Sequence, residues 1–372
     1  MRKLLKIGCG KFAVAEAALS FAGSLVLAIS LGFATTCTYS SRCPALASPP
    51  PTFDGNPKTR VEKFSDAELK NLIQKAEALY KAHRGVELVN LANEVLARDP
   101  KNALFLTYRG EGYGDRRRRE NAIADFTASL AITPSLRAYR DRAYLYKVTG
   151  EKEKALQDWQ TIVKMSPIAS NYFDLAFQYF EVLKLDESIA AGQKALSLLN
   201  TEPAGKRSRL ATNANKVIGM AFLAKNQPAK ALQSFTRAVE LIPGYTAAAK
   251  SNDRSTLRKL VMNNSGLFLL RGEAFEKSGK LKEAIAEYEL TVETFPTSFD
   301  FRRSLLRAYR KNNQNDKALA VVTDMLRQDD SPDLYYKRSE IYKKLGKPDL
   351  AKVDFERARK IEYGLMGGIP PK

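Results

Sequence analysis

The chain has 372 residues, of which 44% are hydrophobic and 27% charged, a balance typical of a soluble folded protein. Its 60 basic residues outnumber its 41 acidic ones, which gives a formal net charge of +19. An excess of this size either serves solubility alone or predicts acidic partners, such as an acidic peptide, an anionic lipid surface, a cell-wall polymer or nucleic acid. All three cysteines precede residue 48, which excludes disulfides, a thiol nucleophile and cysteine-based metal sites from the rest of the chain.

Residues 1–35 have the layout of a secretory signal peptide. A positive head comes first, with basic residues at Arg2, Lys3, Lys6 and Lys11. An uncharged apolar run over 17–34 follows it. The run is about as long as a minimal membrane span, so a retained anchor over residues 12–36 is the competing interpretation, and a segment without a targeting role is the third. In the first two cases everything after the segment lies outside the cytoplasm, either exported to the periplasm or beyond the cell, or held at the membrane.

A proline-rich linker is expected over residues 36–64, because this stretch shows no hydrophobic periodicity. A pattern then recurs with a period of about 33 residues: an alanine, an aromatic residue four positions later and a proline eight positions after that. It occurs at Ala122, Phe126 and Pro134, at Ala155, Trp159 and Pro167, at Ala231, Phe235 and Pro243, and at Ala284, Tyr288 and Pro296. A fixed period of this length predicts stacked helical hairpins rather than one globular core.

Upstream of each alanine, small or apolar residues share one helical face, as in Leu106-x3-Gly110-x2-Tyr113. The small residue is expected to let the second helix of the hairpin come close. Glycines at 150, 279 and 346 stand at the turn between the two helices, and the prolines of the pattern end the second helix.

Together these residues resemble the tetratricopeptide repeat (TPR) family, whose pattern is W-x2-L-G-x2-Y…A-x3-F…P. The resemblance implies an all-α fold, a right-handed superhelical solenoid of stacked antiparallel helix hairpins over residues 65–365, followed by a tail over 366–372. Eight units are expected, at 69–102, 103–135, 136–168, 169–200, 212–245, 265–298, 299–331 and 332–365. Insertions at 200–211 and 246–264 precede the fifth and sixth units, and the composition of the second one predicts a lengthened helix.

In this family the first helix of each hairpin faces a concave groove, and the resemblance implies a partner-binding role for residues at the exposed positions of that helix. These residues are Arg137, Arg140, Lys147, Phe173, Phe177, Phe180, Arg303, Arg307 and Arg310. The same register includes Tyr144, Lys216, Met220 and Leu223. Such a groove is apolar in its middle and cationic toward both ends, which suits an acidic or amphipathic peptide. Two alternatives stay open: the phenylalanines pack against a neighbouring hairpin, or acids of the next unit, for instance Glu340, neutralise the arginines.

No catalytic motif is found in the sequence: G-x-S-x-G, a glycine-rich phosphate loop, H-E-x-x-H and a Cys–His pair are all missing. We therefore expect no enzyme, no cofactor and no bound metal. Four consecutive arginines, Arg116–Arg119, predict either a contact with anionic head groups or a solvated turn. The expected function is an exported or membrane-anchored scaffold that binds a peptide or protein partner, in envelope assembly or secretion. The alternative is a basic repeat protein that binds polyanions, among which nucleic acid is disfavoured by export.

Overall fold

The computed structural model describes residues 64–365, and every regular element in this range is helical. The expected signal or anchor, nearly all of the linker and the tail lie outside the described residues. The chain divides into two compact units, the first ending at Asp158 and the second beginning at Trp159. Within both units, helices that follow each other along the chain pack as antiparallel pairs. The expected all-α fold of stacked helix pairs is thus confirmed.

The first unit begins with two complete hairpins. Helix α1 (Asp66–Lys81) pairs with α2 (Gly85–Arg98), and α3 (Ala103–Asp115) pairs with α4 (Arg119–Ile132). Helix α5 (Leu136–Thr149) follows, and α6 (Lys152–Met165) contains the boundary between the two units. The first hairpin and the start of α3 share one apolar core, with Leu88, Val95 and Phe105 almost completely buried.

The second unit contains five further hairpins. Their helices are α7 (Ala169–Glu181) and α8 (Leu185–Ser197), α9 (Ala204–Ala224) and α10 (Pro228–Glu240), α12 (Arg254–Lys277) and α13 (Leu281–Thr294), α14 (Phe299–Lys311) and α15 (Asn315–Leu326), and α16 (Pro332–Lys344) and α17 (Pro348–Leu365). A short helix, α11 (Tyr245–Lys250), stands before α12. With α5 and α6, the described residues contain the eight expected helix pairs.

Helix ends follow from local side-chain chemistry. Ser65 and Glu68 form a reciprocal capping box at the start of α1, and the Asn102 side chain accepts a bond from the backbone N–H of Phe105 at the start of α3. At the other end, second helices stop two or three residues before a proline, as the sequence predicts. The four prolines are Pro134, Pro167, Pro243 and Pro296.

A small residue on the first helix lies against a buried aromatic ring on the second. A Cβ atom built on Gly110 would stand 2.8 Å from the ring of Phe126, and one on Gly272 would stand 2.5 Å from the ring of Tyr288. The same contact joins Gly219 to the Phe235 ring, at 2.6 Å. These distances are too short for any larger residue, so glycine sets the spacing of the two helices. The expected role of the small residue is confirmed at these three hairpins.

Both insertions extend a first helix. Helix α9 begins at Ala204, ahead of the expected unit start at residue 212, and α12 begins at Arg254, ahead of residue 265. The predicted lengthening is confirmed for α12, although the first part of that insertion forms the separate helix α11. Asn264 has non-helical dihedral angles, and its amide donates to the Leu260 carbonyl at 2.9 Å. Helix α12 therefore kinks where the insertion meets the repeat.

The turn between the two helices of a hairpin needs one residue in the left-handed conformation. Gly150, Gly279 and Gly346 have φ angles of 86°, 75° and 70°, as their register predicts. Five other turns place a non-glycine residue there, namely His83, Arg117, Leu183, Asn226 and Asn313. Leu183 is the only apolar residue of this group, and with φ 60° and 57% exposure it gains little from packing. Its conformation therefore costs the fold free energy.

We predict that Leu183→Gly stabilises the protein by about 0.5–1 kcal/mol. The left-handed conformation costs a branched residue about 1–2 kcal/mol, and the larger backbone entropy of unfolded glycine offsets part of that gain. Urea unfolding followed by circular dichroism measures the difference. The matched control is Gly279→Ala, at the same turn position of another hairpin, which is expected to lose about 1 kcal/mol. An unchanged or lower stability of Leu183→Gly would show that this turn carries no strain.

Candidate partner-binding surface

In four hairpins an arginine on the first helix bonds a carboxylate 16 positions later on the second, a feature that the sequence analysis missed; a fifth hairpin has a pair of different spacing, Arg302 with Asp324. Arg109 holds Asp125 through two bonds of 2.8 and 2.7 Å, and Arg142 holds Asp158 through two bonds of 2.9 and 2.7 Å. The other two pairs are Arg338 with Asp354 and Arg271 with Glu287. In all four pairs the two residues are 16 positions apart. The sequence signal for these pairs is an arginine directly before the small residue and an acid directly before the aromatic residue.

Aromatic rings lie beside three of these arginines, Arg142, Arg271 and Arg338. The Arg142 guanidinium carbon lies 5.6 Å from the ring centre of Tyr139 and 5.7 Å from that of Tyr146, within the range of cation–π attraction. The bonds to Asp158 raise the pKa of Arg142 above its ordinary value. The repeated spacing of arginine and acid therefore joins the two helices within a hairpin.

Arg137, a predicted groove residue, joins three first helices of the first unit. Its guanidinium bonds Glu111 on α3 at two positions and Glu77 on α1 at 2.5 Å. It also lies over the rings of Tyr80 and Tyr108, 4.4 and 5.0 Å from their centres. The charge of Arg137 is thus balanced within the molecule, and its predicted role in partner binding stays a prediction.

Two acids meet beside Arg137. Burial raises the pKa of Glu111 to about 8, against the opposing effect of the Arg137 guanidinium, and burial also raises the pKa of Asp141. The Asp141 carboxylate adds to the rise in the pKa of Glu111, because two like charges lie close together. Arg140 also acts on Asp141 by favouring its charged form. The first helices of the first unit therefore carry a polar network around Arg137 rather than isolated cations.

The remaining predicted residues of α5 differ in exposure. Arg140 is exposed and Lys147 is half-buried, and both make intramolecular interactions. Tyr144, at the same helical face, is 66% exposed, which is the largest exposure of any large hydrophobic side chain among the described residues. An aromatic ring of this exposure on a first helix is available to a partner.

The three predicted phenylalanines lie on α7, which packs against α8 and α9. Phe180 is 7% exposed and belongs to the core, whereas Phe173 and Phe177 are only partly buried. On the neighbouring first helix α9, Met220 and Leu223 are 8% and 9% exposed. Packing against a neighbouring hairpin, which the sequence left open, therefore accounts for Phe180, and it leaves two partly exposed rings.

Acids on adjacent first helices neutralise two of the three predicted arginines of α14. Arg307 bonds Glu276 on α12 at 3.0 Å, and Lys311 bonds the same carboxylate at 2.7 Å. Arg310 bonds Glu340 on α16, the residue that the sequence named as a candidate partner. Arg303 is exposed. The second alternative of the sequence analysis, neutralised arginines, thus describes Arg307 and Arg310. Whether the three residues also bind a partner stays a prediction.

Glu276 is the centre of this cluster on α12 and α14. Its side chain is 4% exposed, and the Tyr288 hydroxyl also donates a hydrogen bond to it, at 3.2 Å. Burial alone would raise the pKa of Glu276, but the bonds from Arg307 and Lys311 outweigh burial and hold that pKa below its ordinary value. The folded state therefore binds a proton at Glu276 more weakly than the unfolded state does.

We predict that Glu276→Gln destabilises the protein by about 2–3 kcal/mol at pH 7, because two cations lose a buried counter-ion. The depressed pKa means that the carboxylate stabilises the fold above the unfolded pKa, near 4.5, and that this stabilisation is lost as pH falls through the lower folded pKa. Urea unfolding at pH 7 and at pH 3 tests both statements, with a gap between variant and wild type that shrinks at pH 3.

The control for this prediction is Glu283→Gln, at an exposed position on α13. It removes the same charge from the same hairpin and is expected to change stability by less than about 0.5 kcal/mol at either pH. An equal loss of stability in the two variants would mean that net charge, and not the cluster around Glu276, determines the effect.

Other features that the sequence singled out lie at the surface. Arg116–Arg119 are all exposed at the turn between α3 and α4, and His83 is exposed at the preceding turn with its Nδ1 3.9 Å from Asp115. Residues 64–365 contain no cluster of three or more His, Cys, Asp or Glu side chains that could hold a metal ion. Over the same range, none of the helices combines the length and the apolar character that crossing a membrane requires.

Several solved structures resemble this chain. The C-terminal part of a TPR repeat-containing protein from Cytophaga hutchinsonii is 17% identical, with a TM-score of 0.50, and the match covers 69% of this chain and 95% of that one. A crystal structure of MamA is 21% identical with a TM-score of 0.42 and coverages of 49% and 93%. PilF from Pseudomonas aeruginosa is 16% identical with a TM-score of 0.44 and coverages of 61% and 91%. At these identities the likeness concerns the fold alone.

Two family profiles match separate parts of the chain. Residues 212–329 match a profile described as bacterial transcriptional activator domain, and residues 332–362 match a tetratricopeptide repeat profile. No curated protein matches the sequence significantly. Both profiles describe non-enzymatic modules, in agreement with the expectation from the sequence. With the periodic sequence and the helix pairs, these matches show that the chain contains TPR repeats in a TPR-like all-α fold, the architecture of a protein-interaction scaffold.

Proposed function

We propose that the protein is a scaffold that binds a protein or peptide partner along the first helices of its hairpins. The observation that carries the proposal is the pair of partly exposed rings on α7, Phe173 and Phe177, on a helix whose Leu175 and Ala176 are buried. A helix that is apolar on both faces either is buried on both or presents a binding surface. In the first unit, the exposed ring of Tyr144 on α5 is a separate feature of the same kind.

The proposed partner is amphipathic rather than purely acidic. Internal acids already neutralise Arg137, Arg307 and Arg310, so these residues offer less attraction to an acidic partner than their sequence pattern suggests. Interfaces of this kind gain their affinity from a few aromatic anchors, while the surrounding charges steer and select the partner. Exposed cations such as Arg303 fit the second role.

Site-specific photo-cross-linking tests this proposal. Phe173→p-benzoylphenylalanine, made in the cell that produces the protein, is expected to yield discrete cross-linked products with a partner. The control is Val353→p-benzoylphenylalanine, at a 61% exposed position on the second helix α17, which is expected to yield none. Products of equal number and size from both positions would contradict a binding surface on the first helices.

We also propose that the repeats act outside the cytoplasm, in envelope assembly or secretion. The support is the N-terminal sequence, in which a basic head precedes the apolar run over 17–34. A second candidate function is a module of a transcriptional regulator that acts inside the cell near DNA. The match of residues 212–329 to a bacterial transcriptional activator domain favours it, and the net charge of +19 is compatible with a nucleic-acid partner.

Reporter fusions separate the two candidates, because they require opposite sides of the membrane. We predict that alkaline phosphatase fused after residue 63 is active and that β-galactosidase fused at the same point is inactive, since phosphatase folds only after export. Replacing Arg2, Lys3, Lys6 and Lys11 by glutamate is the control and is expected to abolish phosphatase activity. Active β-galactosidase with inactive phosphatase would overturn export and favour the regulator.

A further inference from the structure

We propose that Lys216 on α9 anchors the side-chain carboxylate of an aspartate or glutamate that lies within an otherwise apolar segment of the partner. This inference rests on the proposed scaffold function and specifies the chemistry of the segment bound at one position. It concerns the second unit alone, where α9 packs against α7 on one side and α12 on the other.

Lys216 differs from the other buried and half-buried cations on the first helices of this unit. Arg271, Arg307 and Arg310 each bond an acid of the protein. Lys216 is half-buried, yet it makes no hydrogen bond or ion pair with any residue in the range 64–365. Burial is the sole cause that acts on it, and it lowers the pKa of the ammonium group. A charged group is thus held partly out of water without a counter-ion.

The neighbours of Lys216 at the same level are apolar. Lys216 stands three residues before the small residue Gly219, and Phe173 and Leu269 have the same position relative to Ala176 on α7 and Gly272 on α12. The repeat register therefore places the three side chains in one row across three adjacent first helices. Phe173 is partly exposed and Leu269 is 4% exposed. No acid occupies this row, which explains why the lysine has no partner.

This arrangement favours one kind of ligand. A carboxylate that reaches Lys216 forms a charge-assisted bond in surroundings of low polarity, where such bonds are stronger than in water. Lysine presents a compact point charge, so it suits one carboxylate rather than the forked recognition typical of arginine. Phe173 on one side of Lys216 is the exposed apolar contact of this row, since Leu269 on the other side is almost completely buried. The bound segment therefore places an apolar residue next to the acid, and the acid lies within the segment.

The full-length protein, immobilised in detergent, is used to select binders from a phage-displayed library of random dodecapeptides with blocked C-termini. We expect the selected peptides to carry one Asp or Glu flanked by apolar residues. Replacing that acid by Asn or Gln in synthetic copies is expected to lower the affinity about tenfold or more, as for other bonds to charged groups. Fluorescence anisotropy measures the affinities.

Two variants complete the test. Lys216→Met is expected to bind the acidic peptides about tenfold more weakly and to bind their Asn copies as well as the wild type does. Lys194→Met removes the same charge from an exposed position on α8 and is expected to change neither affinity. Lys216→Met is also expected to be at least as stable as the wild type, because it removes an unpaired, partly buried charge.

Each outcome has a distinct meaning. Selection of apolar peptides without a preference for acids, or equal binding of acidic peptides to Lys216→Met and wild type, would overturn the role of Lys216 and leave the scaffold function standing. Synthetic peptides that bind only with a free terminal carboxylate would overturn an acid within the segment. If no peptide is enriched over bare support, both the inference and the proposed binding along the first helices fail.

Discussion

The contact between a small residue on the first helix and a buried aromatic ring on the second is the constraint on which the rest of the structure depends. At Gly110, Gly219 and Gly272 a Cβ atom would come within 2.8 Å of the ring opposite, so this contact fixes how close the helices lie. The aromatic residue follows the small one by the same number of positions that separates Arg109 from Asp125. The same pairing of the two helices therefore makes two contacts. The small residue packs on the ring, and the residue before the small one faces the residue before the ring.

This coupling explains which hairpins contain an arginine–acid pair 16 positions apart. Wherever arginine precedes the small residue and an acid precedes the ring, the two groups face each other once the glycine or alanine contact has formed. The hairpin of α9 and α10 has Ile218 and Ser234 at these positions and builds its contact from packing alone. Salt bridges of this kind contribute less to stability than to choosing one helix register over another, because burial of the charges opposes their attraction.

Much of the fold could be predicted from the sequence because its information is local or periodic. The turn between two helices, the proline that ends a second helix and the small residue of a first helix each require one kind of residue at one position. The same requirement recurs in successive repeats. Ion pairs between successive first helices are harder to predict from the sequence. Arg310 meets Glu340 about one repeat length away, which the sequence indicated, but Arg137 meets Glu77, 60 positions away, across an intervening helix. Such a contact depends on how three helices lean together, which a one-dimensional pattern does not contain.

The two insertions explain why Lys216, on the fifth hairpin, has no acidic partner on a neighbouring first helix. In an uninterrupted array, an acid one repeat length away falls next to a base on the neighbouring first helix, as Glu276 does for Arg307. Insertions at 200–211 and 246–264 bracket α9 and α10 and break that offset on both sides. Paired charges cancel, so the formal excess of +19 must belong to side chains outside the pairs, such as the exposed arginines Arg116–Arg119. Within residues 64–365, Lys216 is an unpaired cation that is half-buried on a first helix. An unpaired charge costs more free energy there than at the surface, and a partner's carboxylate would stabilise it more.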